Sequence, residues 1–253
     1  MSETDRAGDV DAVSEADGAD GVSEADIPEG ATPEARRLRV PDVRNVRDIG
    51  GLEAQHGVIR RGLILRTAAL HELTAEGADV LARLGLRTVI DLRMAVERQM
   101  EPSRVGDYAQ LAGVTQFPIP LVRDFLDSPD TPDGSYRFMA ERGAASIGAV
   151  LAKLAEPGAL PAIVHCTAGK DRTGLIVATL LDTLGVPKAQ IHADFLKSNE
   201  ELGDRLIYPA QAWALDAALN QMVQTAGSIT GFLEQHGMTA AALAALHATL
   251  LGG

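Results

Sequence analysis

The chain has 253 residues, 46% of them hydrophobic, and a formal net charge of -12, enough for one large domain or two small ones with an ordinary apolar core. The charge is uneven: residues 1–30 hold ten acids and one base, Arg6, against 25 acids and 22 bases in the rest. The folded part is therefore close to neutral, which argues against a broad basic field for nucleic acid, and the single cysteine excludes a disulfide framework or a cysteine-rich zinc site.

The N-terminal segment repeats VSEAD at residues 13–17 and 22–26 and has almost no large apolar side chains. Such a segment cannot bury enough surface to offset its ordering entropy. Residues 1–37 are therefore expected to be a disordered acidic tail and residues 38–253 one folded domain. A solvating spacer is the plain reading of the tail; an acidic arm that visits a basic site is the alternative. No basic-then-apolar leader pattern is visible, and no apolar run is long enough to span a membrane, so a cytoplasmic location is expected.

Further along, Val58-Ile59-Arg60 and Leu63-Ile64-Leu65 flank Gly62 and predict a small antiparallel pair. A helix is predicted from near Thr74 to just before Gly85, then a short β-branched strand over Thr88–Leu92. A polar, proline-containing loop covers 120–135, and Tyr136, Phe138 and Met139 open a helix predicted to run to about Leu154. That helix is core at face value; a mobile aromatic cover is the sharper alternative. Pro161–His165 is a second β-branched strand, and Thr173–Leu184 a helix closed by Gly185 and Pro187. The remainder reads as mostly helical, with Ser228 and Thr239 as N-caps. The fold class expected is α/β: a central, mostly parallel sheet flanked by helices, with a helical C-terminal part.

The lone cysteine lies in HCTAGKDRTG, residues 165–174, between the second strand and its helix. Cys166 and Arg172 enclose five residues, so both can face one small anion. Backbone N–H groups of Thr167, Ala168, Gly169, Lys170, Asp171 and Arg172 can point inward as a nest beside the positive end of the helix. A dianionic phosphoryl group fits such a site, and Arg172 adds a planar fork for two of its oxygens, which a lysine cannot reproduce. The same positive surroundings favour the thiolate and make it a nucleophile. In-line attack on phosphorus would give a phosphocysteine, with the equatorial oxygens held by Arg172 and the amides and no metal or other cofactor needed.

HCTAGKDRTG resembles the signature of cysteine-dependent tyrosine and dual-specificity phosphatases. It is most similar to the bacterial and fungal branch called tyrosine phosphatase family 3, or the lipid-phosphatase-like group. Asn45–Gly51 is similar to that branch's NxRDxGG motif, Arg66–Leu70 stands where it has Arg-Ser and a following Leu, Val89–Arg93 matches a strand ending in Asp-Leu-Arg, and Asp194–Asn199 resembles Asp-Tyr-Leu-x-Ser-Asn. The departures, Val46, Thr67 and Phe195, leave the nucleophile and the arginine untouched. The resemblance covers about residues 38–250 and implies a phosphatase fold acting on phosphorylated protein, or on a phosphoinositide.

It also implies a general acid, since a departing alkoxide or phenoxide must be protonated. In this branch the aspartate inside the signature serves, here Asp171; the alternatives are Asp124, Asp127, Asp130 and Asp133 in the polar loop, where ordinary solvation is the plainer reading. Thr173 can donate to the thiolate, or cap the helix. Lys170 resembles the lysine of phosphoinositide phosphatases and would suit substrates with a second phosphate, or it is a solvated surface lysine. His165 is expected to shape the loop through its ring. Asp91 and Arg93, and Arg47 and Asp48, are supporting residues that either orient the loop or form buried ion pairs. The other histidines show no metal spacing.

Competing classes are weaker. A nucleotide-binding P-loop would need Ser or Thr after the lysine, where Asp171 stands, and a glycine at 164, where Val164 stands. An RNA 5'-triphosphatase would be expected to carry a basic groove. A catalytically weak phosphate-binding adaptor usually loses the cysteine, the arginine or the acid, and all three are present.

Overall fold

In the computed structural model residues 32–252 are described; residues 1–31, with both VSEAD segments and most of the expected tail, lie outside the described residues. In chain order the elements are β1 (Arg47–Asp48), β2 (Glu53–Ala54), β3 (Gly57–Ile59), β4 (Ile64–Thr67), α1 (Ala75–Arg83), β5 (Thr88–Asp91), α2 (Ala95–Met100) and β6 (Thr115–Pro118). Then come α3 (Pro132–Arg142), α4 (Ala144–Leu154), β7 (Ala162–His165), α5 (Asp171–Thr183), α6 (Lys188–Leu202), α7 (Ala212–Ala226), α8 (Ile229–Gln235), α9 (Ala240–Leu250) and β8 (Leu251–Gly252).

The main sheet has the order β1-β4-β7-β5-β6, with β4, β7, β5 and β6 parallel and β1 antiparallel at one edge. Its inner strands are buried on both faces, as continuous apolar runs in a parallel sheet must be. Alternation then divides the core in two. Ile64, Ile90, Ala162 and Val164 face the larger core with α3, α4, α5 and α7, whereas Leu65, Val89 and Ile163 face a smaller one with α1. This is a mixed α/β fold of three layers, and the carboxyl ends of β4, β7 and β5 open on one edge, where ligands bind in such sheets.

Two expectations are corrected. The pair around Gly62 does not form: β3 pairs instead with β2 and β8, and β4 with β1 and β7. The reason is burial, since Ile64–Thr67 is fully enclosed and belongs inside the sheet rather than on an edge hairpin. The single helix predicted from Tyr136 starts earlier, at Pro132 behind an N-cap at Thr131, and breaks at Gly143. A side chain at 143 would meet the Met139 carbonyl oxygen at 2.4 Å and the Leu121 carbonyl oxygen at 2.8 Å, so glycine permits the close approach that turns the chain. Just before the expected boundary at residue 38, Arg36 is fully buried and donates to the Asp48 carbonyl and the Asp194 carboxylate.

Elsewhere Thr74, Ser228 and Thr239 each cap a helix by accepting the amide three residues on. Among the described residues no helix is long and apolar enough to cross a membrane.

Candidate active site

Cys166 follows β7 directly and Asp171 begins α5, so residues 166–170 are the whole loop between strand and helix. Its shape is imposed from outside. The Ala69 amide donates to the Thr167 carbonyl at 3.0 Å, and Asn45 Nδ2 donates to the carbonyls of Ala168 at 3.0 Å and Gly169 at 3.1 Å. Arg66 donates a further bond to the Gly169 carbonyl at 2.7 Å. A planar trans peptide points its N–H opposite to its C=O. With three successive carbonyls turned outward, the amides of Ala168, Gly169 and Lys170 turn inward, toward the space between Cys166 and Arg172. Gly169 makes this possible: its φ is 68°, and a Cβ there would lie 2.3 Å from the Thr67 carbonyl oxygen.

Arg172 sits in the first turn of α5 and is gripped by Glu97 of α2, NH1 to Oε2 at 2.6 Å and NH2 to Oε1 at 2.7 Å. Its NH2 also reaches the Thr167 hydroxyl at 3.2 Å, which itself donates to Glu97 at 2.5 Å. Burial works against the Glu97 charge, but the bonds from Arg172 and Thr167 outweigh it and hold the carboxyl down at about 2. Burial likewise opposes the charge on Arg172, yet Glu97 and the nearby Cys166 keep the guanidinium above its ordinary value. Glu97 therefore stays ionised at any working pH and fixes the fork through NH1 and NH2, and the arginine Nε–H makes no hydrogen bond among the described residues.

Asp171 carries two donors on one oxygen: the Tyr136 hydroxyl at 2.5 Å and Lys170 Nζ at 2.5 Å both reach Oδ1. Its side chain is 41% exposed, and Oδ2 makes no hydrogen bond among the described residues. Burial, and then the Asp171 charge, push the Tyr136 hydroxyl well above its usual range, so it remains a donor. Lys170 is not a solvated surface lysine; its side chain is only 9% exposed. Thr173 lies inside α5 rather than at its cap, fully buried, with a hydroxyl that has no hydrogen-bond partner among the described residues.

The supporting residues separate into groups. His165 is fully buried, with Nδ1 3.1 Å from the Cys166 carbonyl oxygen, and burial lowers its pKa although Asp91 opposes this. Asp91 stands beside His165 in the sheet and holds Arg93 through Nε and NH2, an ion pair within the strand end. Asp48 accepts the amides of Gly50 and Gly62 and so serves two turns rather than the loop. Arg47 donates to Asn45 Oδ1 and to Asp194 and Ser198 of α6. Of the alternative acids, Asp133 pairs with Arg137, and Asp124, Asp127 and Asp130 are exposed; none contacts Cys166, Asp171 or Arg172 among the described residues.

The sequence model of the tyrosine phosphatase family matches residues 38–252. The chain belongs to that family. This is the family that the resemblance implied. It is 35% identical over 132 residues to a tyrosine-protein phosphatase of Nostoc commune, a match covering 50% of this chain and 45% of that protein. The chain thus spans under half the length of that relative. It is 28% identical over 277 residues to the triple specificity protein phosphatase PtpB of Mycobacterium tuberculosis, covering 84% of this chain and 98% of the relative. Among solved structures, P. aeruginosa TpbA matches with 18% identity and a TM-score of 0.44, over 79% of this chain and 99% of that one.

Four side chains of this tyrosine phosphatase family site escape a reading of the motif alone. Asn45 and Arg66 lie in segments that the resemblance covers, but nothing in one dimension shows that they hold the loop carbonyls. Glu97 reads as an ordinary helix cap, accepting the Met94 amide at 2.8 Å, and its spacing to Arg172 carries no signal. Tyr136 reads as core or cover, which its burial and edge-on packing against Phe195 support, while its hydroxyl bonds the candidate acid.

Proposed function

We propose that the protein is a cysteine-dependent phosphomonoester hydrolase of protein-tyrosine and dual specificity, working through a phosphocysteine. The observation that carries this reading is the loop itself: outward carbonyls, inward amides, and a pre-oriented arginine facing its only cysteine. In the first step the Cys166 thiolate attacks phosphorus in line; the S–P bond forms as the P–O bond to the leaving group breaks. The inward amides and the free Nε–H of Arg172 stabilise the equatorial oxygens. Asp171, protonated at its open oxygen, passes that proton to the departing oxygen.

In the second step the Asp171 carboxylate takes a proton from water as the water oxygen attacks phosphorus and the S–P bond breaks. The hydroxyl of Thr173, buried with no hydrogen-bond partner among the described residues, can donate to the sulfur as it regains negative charge. Tyr136 and Lys170 hold Asp171 in place through Oδ1. The substrate classes proposed are phosphorylated protein side chains and, on the strength of the Lys170 charge held beside Asp171, a phosphoinositide headgroup. The relative named triple specificity is consistent with broad use of this site.

One comparison tests the acid and the substrate range together. Asp171→Asn is expected to slow an alkyl phosphate and a phosphoinositide by about 10²–10⁴-fold, the usual worth of general acid catalysis. An activated aryl phosphate should lose much less, because its leaving group needs no proton. Equal slowing across the panel would move the acid role to another residue, and an unaltered protein inert on phosphoinositide would remove that substrate class.

A further inference from the structure

Behind the loop lies a cluster of charged side chains that the reaction scheme does not use. Arg36, Arg47, Arg66 and Asp194 are all fully buried. Asp194, in α6, accepts from Arg36 NH1 at 2.9 Å and from Arg47 Nε at 3.4 Å on Oδ1, and from Arg66 NH1 at 2.5 Å on Oδ2. Ser198, one turn further along α6, accepts from Arg47 NH2 at 3.2 Å and Arg66 NH2 at 3.4 Å. Burial alone would raise the Asp194 pKa, but the guanidinium charges, Arg66 first, hold it well below the carboxylate range. Arg47 is pushed down to about 10 by burial and by the Arg66 charge, a sign of how crowded the positive groups are.

Stability does not account for this arrangement, because buried ion clusters are often no better than well-packed apolar residues. Its geometry does. From Asp194 one arm runs through Arg66 to the carbonyls of Gly169 and Lys170. A second runs through Arg47 to Asn45 Oδ1, whose Nδ2 holds the carbonyls of Ala168 and Gly169. One carboxylate thus orients the donors that hold the loop carbonyls of Ala168 and Gly169 outward.

We infer that Asp194, with Arg66 and Ser198, is a positioning set for the phosphate loop, and that it sets how tightly the loop holds a phosphoryl dianion. This rests on reading residues 166–172 as the phosphoryl site. The set never touches substrate; it acts through Arg66 and Asn45. Losing it leaves Cys166, Asp171 and Arg172 in the chain but relaxes the amides that converge on the anion.

The inhibition constant of tungstate, a phosphoryl mimic, separates this from a structural role. An inhibition constant does not depend on how much of the protein is folded, so a variant that is merely less stable keeps the original value. Arg66→Lys can reach Asp194 but cannot fork to the loop carbonyls at the same time. It is expected to weaken tungstate about tenfold, the loss of roughly one positioning hydrogen bond to a charged network, and to raise KM for an aryl phosphate in parallel. Ser198→Ala, a small change that keeps every charge, should move both constants in the same direction by a smaller factor and covers the case in which Arg66→Lys fails to fold. Asp194→Asn, which places an amide donor among donors, should weaken tungstate at least as much as Arg66→Lys. Unchanged tungstate and KM values in folded Arg66→Lys and in Ser198→Ala, with only a lower Tm, would overturn the inference. If the unaltered protein neither turns over an aryl phosphate nor is inhibited by tungstate, the underlying reading of the loop falls, and this one with it.

Discussion

Cys166→Ser is expected to cut turnover of an aryl phosphate by about 10⁴-fold or more, the scale seen when a covalent nucleophile is removed, while tungstate still binds. A serine hydroxyl has almost no anionic form at neutral pH, and nothing in the loop is placed to take its proton. His165, the adjacent imidazole, has Nδ1 turned to the Cys166 carbonyl, and its other nitrogen, 3.7 Å from Asp91 Oδ2, is buried with no hydrogen-bond partner among the described residues. The anion site should survive because the bonds that shape it come from Asn45, Arg66 and Ala69 to backbone carbonyls, and none involves the sulfur. Steady-state kinetics and a calorimetric titration with tungstate check the two halves separately. Residual turnover within a hundredfold of the original would remove Cys166 as nucleophile.

Arg172→Lys is expected to lower kcat/KM by about 10³-fold, comparable to deleting a strong oxyanion donor. The guanidinium here has two duties at once. NH1 and NH2 lie end-on against Glu97, which anchors the group, while Nε–H and the loosely held contact to Thr167 at 3.2 Å remain for phosphoryl oxygens. An ammonium is a point charge and can satisfy Glu97 or the substrate, but not both in a fixed plane. Most of the loss should appear in kcat, because the planar fork fits the flattened phosphoryl of the transition state better than the tetrahedral ground state. A loss confined to KM would mean that Arg172 only recruits substrate.

The sheet and the loop were legible for physical reasons. Thr88–Asp91 and Ala162–His165 are β-branched or apolar runs between turn residues, and such runs fold as inner strands of a parallel sheet almost regardless of context. The nest was legible because cysteine, glycine and arginine stand within one loop, so their convergence needs no long-range information. Elements whose fate depends on a distant partner were not. Ile64–Thr67 reads locally as half a hairpin and becomes an inner strand only because β7, about a hundred residues later, offers it a parallel partner. Gly143 reads as a tolerable residue inside a helix until Leu121 approaches it.

The same distinction runs through the site. Glu97 and Arg172 are 75 residues apart, and Arg66 and Asp194 are 128 apart; each partner taken singly has an ordinary local explanation as a cap, a strand residue or a helix residue. Asp48 shows the converse. It lies beside Arg47 in the same short motif, yet strand alternation sends its carboxylate to two glycine amides instead of the loop.

Phosphate is proposed to pass through Cys166. A rapid denaturing quench of Asp171→Asn during turnover of an aryl phosphate, followed by peptide mass spectrometry, tests it directly, because that variant should form the intermediate quickly and hydrolyse it slowly. Phosphate is expected on the peptide carrying Cys166, and none when Cys166 is also replaced by Ser. Phosphate on any other residue, or an unmodified Cys166 in the presence of a stoichiometric burst of the released phenol, would contradict it.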